Sequence, residues 1–166
     1  MQHKPTVLLA DADVLIDYRE SDLAILALVA RHLGRLAVLP SVLDEVRGVT
    51  AEECGRLGIE IVEVETERML LAAEVESSVS FNDRLCLVVC REEGWTCLTN
   101  DGALRRLCKR HGVVTRFGLG LMVDLVEASA LTRQRAVTVA RRIRASNPLH
   151  ITDRVLERFL HALDRS

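Results

Sequence analysis

Val7-Leu8-Leu9-Ala10-Asp11-Ala12-Asp13 joins four apolar residues to two acids, and this junction decides how the chain is read. An unbroken apolar run too short for a helix reads as a strand covered on both faces, as in a parallel sheet. Three other segments carry an acid where a strand hands over to a helix or a helix begins. They are Pro40-Ser41-Val42-Leu43-Asp44-Glu45-Val46, Ser80-Phe81-Asn82-Asp83 and Cys97-Leu98-Thr99-Asn100-Asp101. A parallel sheet gathers the carboxyl ends of its strands at one edge, where ligands bind. Carboxylates of Asp11, Glu45, Asp83 and Asp101 crowded there would repel one another unless a cation sat among them. The pattern outlines a divalent-metal site.

Working outward, apolar runs predict strands at residues 7–10, 36–39, 96–99 and 113–115, with a partly exposed strand at 59–64 where Ile and Val alternate with Glu. Helical spacing marks residues 22–33, 66–77, 80–93, 101–111, 119–129, 133–145 and 152–163. Ser41 opens a further helix with a capping-box pattern. Strands alternate with helices at intervals too long for hairpins. The expected fold is therefore α/β, a three-layer α/β/α sandwich around a mainly parallel sheet of four to five strands. Residues 1–130 form the α/β domain, and residues 131–166 a helical C-terminal extension packed on it.

The chain has 166 residues, of which 49 % are apolar and 3 % aromatic, so its core is aliphatic. Net charge is −2, which excludes a uniformly basic nucleic-acid binder. The charge is unevenly spread: residues 131–166 carry eight Lys/Arg against three Asp/Glu, and residues 1–130 fourteen against twenty-one. An acidic body with a basic end suits an anionic partner held beside a metal; a solvated Arg-rich helix face accounts for the same numbers. The five cysteines form no C-x-x-C pair and read as small buried hydrophobes in a reducing compartment. No signal-peptide pattern and no apolar stretch of membrane-spanning length is visible, so a soluble cytoplasmic protein without membrane association is expected.

Each acid also has a purely structural explanation. Asp83 completes a capping box with Ser80, Asp101 or Asn100 is an N-cap, Asp44 and Glu45 favour a helix N-terminus, and Asp11 and Asp13 stabilise a turn. Helix capping does not account for four acids at one end of a sheet. The surrounding residues carry a further pattern: Asp11-Ala12-Asp13-Val14-Leu15, then Glu45, then Asn82-Asp83-Arg84-Leu85, then Thr99-Asn100-Asp101-Gly102, in that order over residues 6–115. In this the chain resembles the PIN-domain ribonucleases, which include VapC-like toxin nucleases.

The resemblance implies a metal-dependent endoribonuclease. Asp11, Asp83 and Asp101 would bind Mg²⁺ or Mn²⁺, with Glu45 completing the catalytic set and Asp13, Thr99 and Asn100 supporting it. It implies RNA as substrate, products with 5′-phosphate and 3′-hydroxyl ends, and, for a toxin, an antitoxin protein; a homodimer is a further expectation. Arg47, Arg84, Arg105 and Arg106 are the candidate RNA contacts, with Lys109, Arg110 and the arginines after residue 132 as an extension. With few aromatics, such binding would rest on charge rather than base stacking. Two departures from the family pattern stand out. Ala12 has no hydroxyl where many relatives have Ser or Thr, and Asp13 replaces a common Asn. A catalytically degenerate, protein-binding PIN domain is the alternative they leave open. Asp11-Ala12-Asp13 after a strand is also similar to the haloacid dehalogenase phosphohydrolases, whose catalytic lysine has only Lys4 and Lys109 as candidates here.

Overall fold

In a computed structural model, which describes residues 6–166, five short strands form one parallel sheet. They are β1 (Val7–Ala10), β2 (Arg35–Val38), β3 (Ile59–Ile61), β4 (Thr96–Leu98) and β5 (Thr115–Arg116), in the order β3-β2-β1-β4-β5. β1 is central because both its faces are covered: Val7, Leu8, Leu9 and Ala10 are all buried. The chain leaves β1 outward through β2 and β3, then crosses back to lay β4 on the opposite side of β1. Ala10 pairs with Leu98 in that register. The reversal makes a topological switch point, and a crevice opens outside the strand ends at such a point.

Helices cover the sheet: α1 (Ala12–Ser21), α2 (Ala24–His32), α3 (Pro40–Glu45), α4 (Ala51–Leu57), α5 (Thr66–Glu74), α6 (Phe81–Glu93), α7 (Gly102–Arg110), α8 (Gly118–Glu127), α9 (Arg133–Ser146) and α10 (Asp153–Leu163). The α/β sandwich expected from the sequence is the observed fold. Its core is aliphatic, and Cys54, Cys86, Cys90, Cys97 and Cys108 are free thiols buried within it. Among the described residues no helix is long and apolar enough to cross a membrane.

Three local readings differ from expectation. Ser41 does not cap α3. Pro40, whose fixed φ suits a first helical turn, starts the helix with Leu39 as N-cap, and the Ser41 hydroxyl is buried without a partner. The capping box forms instead at α4, where the Thr50 hydroxyl accepts from the Glu53 amide and the Glu53 carboxylate accepts from the Thr50 amide. α4 carried no visible periodicity because it buries only Cys54. α1 was hidden for another reason: one of its buried positions is an acid, Asp17.

Asp17 is the polar hub of the fold. Its Oδ2 accepts from Asn100 Nδ2 at 2.8 Å, and its Oδ1 from Asn147 Nδ2 at 3.0 Å. Asn100 in turn accepts from the Gly118 amide at 2.9 Å, while the buried Tyr18 hydroxyl donates to the Gly118 carbonyl at 2.6 Å. Four segments are joined: α1, the turn after β4, the start of α8 and the end of α9. Arginines of α9 and its N-terminus add surface ties, Arg135 to Asp22, Arg144 to Asp153 and Arg133 to Asp164. Removing the hub carboxylate leaves the buried Asn100 amide and the half-buried Asn147 amide without an acceptor. Asp17→Ala should therefore destabilise the protein by about 3 kcal/mol in urea unfolding, whereas Arg135→Ala, an exposed ion pair, should cost less than about 1 kcal/mol.

Candidate metal centre

The β1–β4 pairing sets the first two acids side by side. Asp11 follows β1 directly, and its amide donates to the Leu98 carbonyl at 3.1 Å. It is the N-cap of α1, with Oδ1 accepting from the Val14 amide at 2.9 Å. Asp101 is the N-cap of α7, and its Oδ1 accepts from the amides of Ala103 and Leu104. Thr99 lies between them, fully buried: its hydroxyl accepts from the Asp101 amide at 3.0 Å and hydrogen-bonds the Asp11 carboxyl. Asp83 enters from the first turn of α6, which Ser80 caps through the Asp83 amide.

These groups sense one another. Asp11 is 2 % exposed, and burial pushes its carboxyl up to about 8, against the hydrogen bonds from Thr99 and Val14 and with added repulsion from Asp13 and Asp83. Asp83 is also raised, chiefly by burial and then, beyond the opposing Ser80 hydrogen bond, by Asp101 and Asp13. Asp13 is raised by burial and by Asp101 and Glu45, with His150 opposing. Glu45, at the end of α3, accepts a short hydrogen bond from the Asn82 amide group, which also donates to the Ser41 carbonyl at 3.2 Å. All four predicted acids and Asp13 thus belong to one electrostatic cluster. Asn100 stands apart from it, engaged by Asp17 and Gly118.

Two residues of the neighbourhood escaped the sequence reading. His150, in the turn between α9 and α10, brings Nε2 to 3.8 Å from Asp13 Oδ2. Ligand-type atoms of Asp13, Asp101 and His150 all lie within 4.8 Å of one another. Asn82 is the second, held within the Asn82-Asp83 motif but noticed only for its neighbour. The donor set of the whole cluster is almost entirely carboxylate oxygen. It fits a hard divalent ion such as Mg²⁺ or Mn²⁺, and the carboxyls of Asp11, Asp13 and Asp83, raised first by burial and then by their acidic neighbours, show how poorly this pocket tolerates negative charge by itself.

The predicted cations divide. Arg105 stacks on the Phe117 ring, 3.4 Å from its centroid. Arg106 and Lys109 line open grooves on both flanks of α7, one shared with Arg110 and the loop residues Ser77, Ser78 and Val79, the other with Arg105 and Val113, Val114 and Thr115. Arg47 is exposed after α3. Arg84 donates to the Val75 carbonyl at 3.2 Å and sits over Phe81, which ties the turn between α5 and α6.

The ion-free cluster has a pH signature. Folding raises Asp11 from 3.8 to about 8 and Asp17 to about 6, so the folded chain keeps protons that the unfolded chain releases. The resulting stability is fully present below about pH 4 and is lost as pH rises through the folded values. In chelator-treated protein, the thermal midpoint of wild type relative to Asp11→Asn should fall from about pH 4 to about pH 8. A difference that rises with pH would contradict the burial assigned to Asp11.

Comparison with known proteins places this arrangement. A TM-score of 0.49 at 10 % identity relates the structure to a PilT N-terminus domain protein from the hyperthermophilic archaeon Sulfolobus solfataricus, over 77 % of this chain and 96 % of that one. No curated protein matches the chain. The family model described as PIN domain matches residues 8–110, a span that begins in β1, ends with α7 and contains all four acids. The chain belongs to the PIN domain family, whose members are generally divalent-metal nucleases acting on RNA.

Proposed function

We propose that this protein is a Mg²⁺- or Mn²⁺-dependent endoribonuclease. The observation that carries the reading is the gathering of Asp11, Asp13, Asp83, Asp101 and Glu45 into one acidic cluster at the switch point of a PIN domain. Asp11, Asp83 and Asp101 would hold the ion. Asp101 makes both of its cap bonds through Oδ1, which leaves Oδ2 for coordination, and Asp11 caps α1 through Oδ1 while also meeting Thr99. When bound, such an ion neutralises the carboxylates and lends Lewis acidity toward water and a phosphodiester oxygen. Glu45, steadied by Asn82, would orient water and accept its proton. Thr99 fixes the spacing of Asp11 and Asp101 through one hydroxyl.

Substrate binding falls to α7. Asp101 caps its N-terminus and its turns carry Arg105, Arg106, Lys109 and Arg110, so a strand crossing the acidic edge meets the first of these cations within about one helical turn. Arg105 is braced on Phe117, and Arg106 and Lys109 reach grooves on either flank. These are point charges suited to phosphates, and few aromatics are available for stacking. A toxin role, which the family likeness also implies, would add an antitoxin partner without changing this chemistry.

Mn²⁺ titrated into the wild type should raise its thermal midpoint by mass action, and Asp83→Asn should lose that rise. On a mixed RNA pool the same variant should cleave roughly 100-fold more slowly or worse, with 5′-phosphate ends on the wild-type products. Metal-independent cleavage, or a fully active Asp83→Asn, would refute the assignment. Arg106→Ala should weaken RNA binding across sequences and lower the slope of log affinity against log salt by about 0.7 to 1.

A further inference from the structure

We propose that His150 is a ligand of the same ion and that its imidazole makes the centre select Mn²⁺ over Mg²⁺. The inference rests on the metal reading given above and adds to it a residue from beyond the span that the PIN domain model matches. His150 lies in the turn joining α9 to α10, and that turn is built to hold it. Asn147, the C-cap of α9, donates from its side chain to Asp17 at 3.0 Å. The Asn147 side-chain oxygen accepts from the His150 amide at 3.4 Å, and its carbonyl accepts from the Ile151 amide at 3.0 Å. Ile151 is fully buried, while Leu149 is 81 % exposed. The backbone of His150 is therefore anchored on both sides, and through Asp17 it is fixed to the helix that carries Asp13.

The separations suit a shared ion better than a direct bond. At 3.8 Å, His150 Nε2 and Asp13 Oδ2 are too far apart for a hydrogen bond. Bonds of about 2.1 Å to one octahedral ion would place neighbouring ligand atoms about 3 Å apart and opposite ones about 4.2 Å apart. The atoms of Asp13, Asp101 and His150, all within 4.8 Å of one another, approach that span. Asp101 belongs to the proposed ligand set, so the histidine extends that site and does not found a second one. Mg²⁺ prefers an all-oxygen shell and gives up its water reluctantly, whereas imidazole nitrogen suits transition metals. A histidine added to this carboxylate set tilts it toward Mn²⁺.

The competing role for His150 is a counter-cation for Asp13, and the two roles give opposite results. Electron spin-echo spectroscopy of Mn²⁺ bound to wild-type protein should show modulation from a coordinated ¹⁴N nucleus, a reading that needs no variant. His150→Ala and His150→Gln should lose the modulation. In both variants Mn²⁺ affinity, from thermal shift titrations, should fall about tenfold while Mg²⁺ affinity stays within about twofold. Bound Mn²⁺ without nitrogen modulation in the wild type, or unchanged Mn²⁺ affinity in both variants, would overturn the role of His150 and leave the carboxylate centre standing. A wild type that neither ion stabilises would instead remove the metal reading itself, and this proposal with it.

Discussion

Everything in this site follows from one backbone pairing, that of β1 with β4. Ala10 opposite Leu98 puts Asp11 level with the residues just past β4, and the Asp11 amide is bonded to the Leu98 carbonyl. The pairing occurs where the strand order reverses, so no crossover helix fills the space above it. Asp11 is consequently buried beside Thr99, Asp13 and Asp83. Its carboxyl is buried for a structural reason, and burial together with the neighbouring acids disfavours its charged form. The cost of that burial is visible in its raised pKa. A sheet edge that gathers acids in this way gives up stability, as functional edges do.

Capping and the proposed coordination draw on the same carboxylates. Asp11 and Asp101 are N-caps and Asp83 stands in the first turn of its helix, so three helices, α1, α6 and α7, present their N-termini to the cluster. The partial positive charge there offsets some of the repulsion among the carboxylates. Each cap also locks one carboxylate oxygen and hence the rotamer. A cap-fixed aspartate with a free second oxygen is a rigid ligand, which is what a small octahedral ion requires.

The order of strands and helices was legible because parallel strands are nearly uniform in hydrophobicity and end abruptly at acids. Asp11 and Asp101 could be found from that alone. The convergence of Asp83 and Glu45 rested on the family resemblance, because they come from α6 and α3 and meet only through tertiary packing. Asp17 was illegible for the opposite reason: a buried acid with two amide donors looks, in sequence, like an exposed residue of a polar helix. The arginines of α9 were open to two readings, and most turn out to be tied to acids of neighbouring helices, including Asp22 near the other end of the chain. His150 carried no signal at all. Nothing in Asn147-Pro148-Leu149-His150 marks a ligand until the fold brings it to Asp13.

The segment after α7 therefore does more than cover a face of the sheet. Asn100, one residue from Asp101, takes its second hydrogen bond from Gly118 at the start of α8, and Asp17, one helical turn from Asp13, takes one of its two from Asn147 at the end of α9. Both bonds come from beyond the span that the family model matches. The acids themselves lie within that span, but the polar network that holds Asn100 and α1 in place is completed from outside it. Because a buried amide or carboxylate left half-satisfied is costly, this network forms as a unit or not at all. The C-terminal helices and the acidic cluster are thus coupled through Asp17, and a change at the α9–α10 turn is transmitted to Asp13 along a path of only two hydrogen bonds and one turn of helix.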